Sequence, residues 1–364
     1  MTSGEGTHGG TQALDRPRSG LGAFFEERLG LRAIHYFVPE HANSIPYLLG
    51  GISLMGFVLL LVTGIYLGQF YHPLPTDAHD SVIYIISGAP LGDVIRSIHY
   101  WLAQIVVITV VLHLLRIAFT GSFKRPREFN WYIGLGLFVV TMGFSFTGTV
   151  LKFDQEAIEA LQHNIDWAQL VGGFGAWFSP EFSQTVPLLT RVFLGHTSIL
   201  PLILVLLLLV HFFFIKQHGI SPKVTADATS RRTAGEGRSH FDVHVRRMMG
   251  FGLLLLGVSI VLSLIFPAPL GMPGVAGAEV TRPPWMFVWI VPFEELLGAK
   301  ALLVVPLVLG VILALVPIVD RTPFMSARRR PLTVGFIALI FVVIVASGVF
   351  AELTPISAHL GEMK

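Results

Sequence analysis

Cysteine is missing altogether from the 364 residues. Its absence excludes disulfides, thiolate zinc sites, cysteine-held iron–sulfur clusters and thioether-linked haem on this chain. Charge is scarce as well. Asp, Glu, Lys and Arg make up 13% of the residues, against about 25% in a soluble domain. Net charge is only +2, so the basic excess that suits nucleic acid is lacking, and no such partner is expected. What fills the chain is apolar: 53% hydrophobic residues and a mean hydropathy of +0.69. With thiols gone, the 14 histidines are the obvious metal ligands.

The first 40 residues are polar and Gly-rich, and carry Arg16, Arg18, Glu26, Glu27, Arg28 and Arg32. They hold no short apolar core followed by a small-residue cleavage site, so no secretory signal peptide is expected. Residues 1–20 read as disordered.

A bilayer core takes about 20 apolar residues of helix. Seven segments qualify: 46–70, 94–118, 131–151, 188–215, 248–267, 300–319 and 331–351. The fold class is an all-α membrane protein with seven transmembrane helices. The stretches 152–187 and 268–299 mix aromatics with Pro and Gly, and read as interfacial loops with short helices of their own. The polar, basic linker 216–246 divides a four-span block (46–215) from a three-span block (247–364), with a segment 1–45 in front. The charges orient the chain. With the N-terminus inside, four Lys/Arg precede the first span, four lie in Arg116–Arg127, seven in Lys216–Arg247 and four in Arg321–Arg330. Outside are only Arg96, Lys152, Arg191, Arg282, Lys300 and Lys364. This bias puts the N-terminus inside, the C-terminus outside, and both mixed loops on the outer face.

Ionisable residues within a span mark function. The second span carries His99 and His113; the fourth carries His196 and His211. At ~100° per residue, steps of 14 or 15 return to within roughly 60° of the starting azimuth. The rise of ~1.5 Å per residue sets the two levels about 21–22 Å apart. Both spans run from outside to inside, so His99 shares the outer level with His196, and His113 the inner level with His211. Two stacked bis-imidazole sites result, which suit haem iron inside a helix bundle. A lone buried histidine is often only a packing residue; four at matched depths are not explained that way.

Glycines repeat the spacing. Gly50 and Gly64 lie 14 apart in the first span, as do Gly134 and Gly148 in the third. A missing side chain lets a flat ligand approach, although such glycines also serve helix packing. Arg96 and Arg116 each sit one turn from a histidine, as haem-propionate partners or as ordinary snorkelling arginines.

The chain resembles the cytochrome b/b6 family, in particular the split form in which cytochrome b6 and subunit IV are separate proteins. FFEERLGLRAI, VPEHAN, LLGG, IRSIHYW, HLLRIAFTGSFKRPREFNW, TGTVLKFDQ and GHTSILPLILVLLLLVHFFFIKQHGISP match in order across residues 22–222. Residues 248–351 resemble subunit IV more loosely, by three spans and a tryptophan loop. The resemblance implies a four-helix haem bundle fused to a subunit IV-like block. It also implies two non-covalent b-type haems on His99/His196 and His113/His211, and a homodimer in a prokaryotic cytoplasmic membrane. Partners would be a Rieske iron–sulfur protein and a cytochrome c subunit. Quinol would be oxidised at the outer side and quinone reduced at the inner side, with proton translocation.

Two departures stand out. Leu48 occupies the place of the cysteine that anchors an extra haem in b6-type proteins, so no covalent haem c is expected. The family's Pro-Glu-Trp-Tyr quinol motif reads Pro283-Pro284-Trp285-Met286, with Pro284 in place of the proton-accepting glutamate. Glu294 and Glu295, further along the same loop, are the candidates to take over, since a positioned carboxylate can serve as the base; otherwise they are solvated interfacial charges. The resemblance to bacterial relatives that carry a Pro-Pro-Trp form implies menaquinol as the quinol. The outer pocket would draw on Phe146, Phe153, Asp154 and the tryptophan loop. The inner site would draw on Lys216, His218 and Asp242, which read equally as solvated linker residues. The altered loop leaves an alternative open: a non-bifurcating di-haem subunit that wires another redox module to the quinone pool. A histidine-relay transporter would also tolerate seven spans, but gives no reason for histidines at paired depths.

Overall fold

The computed structural model describes residue 28 and residues 36–224 and 237–355. The expected disorder of residues 1–20 falls outside them. Among the described residues, seven helical segments are long and apolar enough to cross a membrane, at the places expected from the hydropathy pattern.

A short strand β1 (Phe37–Pro39) precedes the first span, α1 (Ile45–Leu67), which starts with Pro46 in its first turn. Proline fits there because its missing N–H is one the helix end does not use. A helix that hydropathy did not single out, α2 (Ala78–Ser87), lies between the first and second spans. Then come α3 (Gly92–Phe119), α4 (Glu128–Val150) and a polar helix α5 (Gln155–Val171) in the first mixed loop. The fourth span, α6, runs over Leu188–His218. Strand β2 (Arg238–His240) leads into α7 (Phe241–Ile265). A short helix α8 (Val291–Leu297) precedes α9 (Ala301–Val319), and α10 (Pro331–Leu353) is the last span. α9 carries Pro306 and Pro317 in its interior, which a span tolerates because neighbours re-satisfy the freed carbonyls.

The spans pack in pairs, α1 on α3 and α4 on α6, so the two histidine-bearing helices belong to different pairs. α7 lies against both α1 and α3. Leu48, Ile52, Ile98, Leu102 and Leu255 form the core of that junction. Within it, the Ser53 hydroxyl donates to Thr109 across α1 and α3 at 2.9 Å. On the other side Trp131 of α4 donates its indole N–H to the Leu313 carbonyl of α9 at 2.9 Å.

Polar contacts close both ends. Antiparallel pairing of Phe37 with His240 and Pro39 with Arg238 joins β1 to β2. Nearby on the same face, buried Asp320 accepts from Lys124 at 2.6 Å and from Arg330 at 2.8 Å. Arg330 also donates to the carbonyls of Ala118 and Phe119 at the end of α3. At the opposite end the two mixed loops meet. Asp154 caps α5 through Ala157 N–H and accepts from Gly271 N–H at 2.9 Å. Glu159 accepts from the N–H groups of Val280 and Thr281.

Candidate haem and quinol sites

The outer histidines are held alike. His99 Nδ1 lies 2.8 Å from Thr63 Oγ1, and His196 Nδ1 lies 2.8 Å from Thr147 Oγ1. Each threonine hydroxyl also reaches a carbonyl one turn back: Thr63 to Leu59 at 2.9 Å, Thr147 to Gly143 at 2.7 Å. A carbonyl only accepts, so the single hydroxyl proton goes to it. The threonine oxygen must then accept from Nδ1–H. That fixes the tautomer and leaves each Nε2 lone pair for a metal.

The glycine after each threonine touches the same ring. A Cβ on Gly64 would stand 3.3 Å from His99 Cε1, and one on Gly148 would stand 3.3 Å from His196 Cε1. Two Thr-Gly pairs thus cradle two rings from opposite helix pairs. His99 and His196 therefore share one local geometry on two different helix pairs.

At the inner level Gly50 lies tight against its histidine: a Cβ there would meet His113 Cε1 at 3.0 Å. Around Gly134 there is open space instead. The Nδ1 atoms of His113 and His211 are buried without a hydrogen-bond partner. Arg116 stacks its guanidinium over the Tyr47 ring at 3.8 Å, reaches Ser221 at 3.4 Å, and keeps a buried, unpartnered Nε. A half-buried cation with a buried N–H to spare fits an anionic propionate. Arg96 is engaged otherwise: its guanidinium donates to the carbonyls of Ala268 and Pro269 at 2.8 and 2.6 Å.

Among the described residues, no three His, Asp or Glu side chains converge as a metal site. Histidine pairs are the donor set that haem uses, because the macrocycle supplies the remaining ligands. The residues present therefore fit haem.

The unequal histidine spacings have a local cause. Residues Gly195–Ile199 of α6 form a π-helical turn. A π-turn takes in one residue more than an α-turn, so 15 residues in α6 cover what 14 cover in α3. Pro201 follows at once. Its missing N–H cannot bond back to the preceding turn, which favours the loosened turn there.

On the face where the two mixed loops meet, Pro284 opens a turn, its carbonyl accepting from the N–H of Phe287 and Val288. Trp285 is half exposed and donates to Gln104 of α3 at 2.6 Å. Phe287 meets Phe146 of α4 edge-on, with ring centroids 6.4 Å apart. The tryptophan loop therefore sits against α3 and the end of α4. Phe153, in the turn after α4, adopts the left-handed conformation with φ 53°, uncommon for a non-glycine residue, and like Phe146 packs against the cluster of Val150, Leu188, Leu189 and Val192. Glu294 is buried on α8, within 3.6 Å of His163 Nε2 on α5, whereas Glu295 is exposed.

The residues named for an inner site do not converge in the same way. Lys216 is exposed. His218 stacks on Phe214, with centroids 5.7 Å apart. Asp242 forms an exposed i,i+4 pair with Arg246 at 2.7 Å. Sequence reasoning did not single out Thr63, Thr147, His163 or Glu279. The threonines carried a signal: a Thr-Gly pair precedes the end of both the first and the third span.

The family model described as Cytochrome b(N-terminal)/b6/petB matches residues 104–273. Cytochrome b6 of Heliobacterium mobile is 37% identical over 196 residues, which is 50% of this chain and 88% of that protein. Cytochrome b6 of Prochlorococcus marinus (strain MIT 9303) is 36% identical over 214 residues, 54% of this chain and 94% of that one. A chain of the solved structure titled Hyperthermophilic respiratory Complex III superposes with TM-score 0.75 at 24% identity, over 91% of each chain. That likeness concerns the whole seven-span fold.

Proposed function

The chain belongs to the cytochrome b/b6 family, and from that premise we propose that it is the cytochrome b subunit of a bc/b6f-type oxidoreductase, oxidising menaquinol at its outer face. The observation that carries this reading is the matched pair of outer imidazoles, His99 and His196, each with Nδ1–H held by a threonine. Two non-covalent b-type haems follow: one on His99 and His196, the other on His113 and His211. Gly50, Gly64, Gly134 and Gly148 give the flat faces room, and Arg116 serves a propionate. Bound haem supplies one-electron transfer across the low-dielectric core.

The chain's own residues do the rest. They keep the imidazoles neutral and oriented, exclude water, and handle protons. Pro283, Pro284 and Trp285 frame the quinol beside Phe146, and Glu294 accepts a quinol proton on its carboxylate. An inner quinone site near Lys216 and His218 completes the cycle. Asp242 takes no part, because Arg246 already holds it on the surface. The four-span and three-span blocks act as one unit, the N-terminus inside. A Rieske iron–sulfur protein and a cytochrome c subunit receive electrons, and the chain works as a homodimer.

The test is a reduced-minus-oxidised spectrum with pyridine haemochrome quantitation on the purified complex, with co-purifying subunits identified by mass spectrometry. Two b haems per chain beside a Rieske protein support the reading. Two b haems beside a different redox module favour the non-bifurcating alternative kept open by Pro284. Absence of haem refutes both.

A further inference from the structure

On the outer face, His163 of α5 is held at one nitrogen and faces two acids with the other. Its Nδ1 is 2.8 Å from the Glu159 carbonyl one turn back, so Nδ1 carries a proton and donates it. Its Nε2 lies 3.6 Å from Glu294 Oε1 on α8 and 3.7 Å from Glu279 Oε1 on the loop before the tryptophan motif. Both carboxylates are nearly buried, with side chains 5% and 8% exposed, while His163 is 23% exposed. Helix α5 and a stretch more than a hundred residues later in sequence thus bring two carboxylates within 4 Å of one titratable nitrogen.

With Nδ1 committed, only Nε2 can exchange a proton. A neutral Nε2 presents its lone pair to two acids, which is stable when one of them is protonated; a protonated Nε2 is stabilised by both. The two arrangements differ by a proton moved less than 4 Å. We propose that His163 relays the proton from Glu294 to Glu279 and so discharges quinol oxidation to the outer surface. The proposal rests on Glu294 being the proton acceptor for quinol.

The steps balance. The protonated Glu294 carboxyl gives its proton to His163 Nε2, forming an imidazolium whose Nδ1–H stays on the Glu159 carbonyl. Nε2–H then passes to the Glu279 carboxylate, and Glu279 releases the proton to water beside Val280, which is 63% exposed. No electrons move.

The surroundings suit this role. Glu159 accepts from Val280 N–H at 2.9 Å, from Thr281 N–H at 3.0 Å and from the Thr281 hydroxyl at 2.5 Å. It therefore pins the loop directly after Glu279 and fixes the distance to His163. Asp166, on the same helix, is buried and interacts with both His163 and Glu279. Its burial raises its pKa, His163 opposing and Glu279 adding. Among the described residues, the charged groups that face the imidazole include Glu159 and Asp166 from α5, Glu279 from the loop and Glu294 from α8. Lys300, beyond α8, is exposed. The surplus of acids favours a proton entering the cluster, and the exposure of the loop lets it leave.

The experiment follows reduction of the b haems by a short-chain naphthoquinol in the purified full complex, from pH 5.5 to 9. Wild type is compared with Glu294→Gln, His163→Gln, Glu279→Gln and His163→Ala. Unchanged haem spectra certify folding. The relay requires His163→Gln to slow haem reduction by about 100-fold, at the low end for a lost acid–base group, and to flatten its pH dependence. Glu279→Gln slows it less, with a shifted profile, and added imidazole restores His163→Ala. If Glu294→Gln is slow while His163→Gln and Glu279→Gln keep the wild-type pH profile, the relay is overturned and Glu294 keeps its role. If Glu294→Gln is as fast as wild type, the reading of Glu294 as acceptor falls, and the relay with it.

Discussion

The threonines beneath the outer histidines allow a sharp prediction. Thr63→Val keeps the shape of the side chain but replaces the hydroxyl with a methyl. The His99 Nδ1–H then loses an acceptor 2.8 Å away, in a helix interior where water offers no substitute. Leaving a buried donor unsatisfied costs about 1–3 kcal/mol. The ring is free to turn or to shift its proton to Nε2, which would remove the ligand lone pair. At 1.36 kcal/mol per factor of ten, that is roughly a 5- to 150-fold loss in affinity for the outer haem, in the range known for the outer-shell partners of metal-bound histidines. Thr147→Val, acting on His196 through the same geometry, should match it. Thr63→Ser, which keeps the hydroxyl, should stay near wild type. The assay titrates apo-protein in detergent with haem and follows the split of the reduced α-band between the two sites, with potentiometry to separate them. Unchanged outer-haem affinity and potential in both valine variants would refute the argument that these hydroxyls fix the tautomer.

Three further outcomes can be checked. His99→Ala and His196→Ala should each remove the same haem, and His113→Ala and His211→Ala the other; redox titration that shows loss of both haems in every folded variant would break the pairing. Gly50→Val should eliminate the inner haem alone, because even a Cβ there would crowd His113 at 3.0 Å; difference spectra should keep the outer signal. Asp320→Asn should lower stability by about 3–5 kcal/mol, since it strands two buried cations, read as a lower midpoint of thermal inactivation in detergent. Burial alone would raise the Asp320 carboxyl, but hydrogen bonds from Lys124, Arg330 and Thr322 outweigh it and hold the pKa below the usual range. A lowered folded-state pKa means that this stabilisation is present at neutral pH and is lost as pH falls through that pKa. Wild type should therefore lose stability in acid more steeply than Asp320→Asn.

The seven spans were legible because a bilayer demands long uninterrupted apolar runs, and the sequence supplies them. The four histidines were legible because polar residues inside such runs stand out. Charge bias indicated that the two mixed loops share one face; that they touch was not legible. Other features left weaker marks. Helix α2 is only ten residues long, too short for a hydropathy window. The π-turn at Gly195–Ile199 left only the odd count of 15, whose meaning depends on local hydrogen bonding. His163 and Glu279 sit in polar loops, where charged residues are ordinary; only the folding together of residues more than a hundred positions apart brings them to one point. Arg96 had the right spacing for a propionate, yet the backbone turn after α7 presents two carbonyls to it.

The contacts that join the residues before Lys216 to those after Arg247 lie at both faces and in the middle. Asp320 takes hydrogen bonds from Lys124 at one face, and Gly271 and Thr281 bond to Asp154 and Glu159 at the other. Between them α7 rests on α1 and α3. None of these contacts needs the peptide bonds of the linker. What the covalent join adds is arithmetic: one copy of each part per chain, and an effective concentration in place of a second-order encounter in the bilayer. Two genes cut within residues 225–236 and expressed together should therefore assemble the same seven-span unit, at the cost of having to match their dosage.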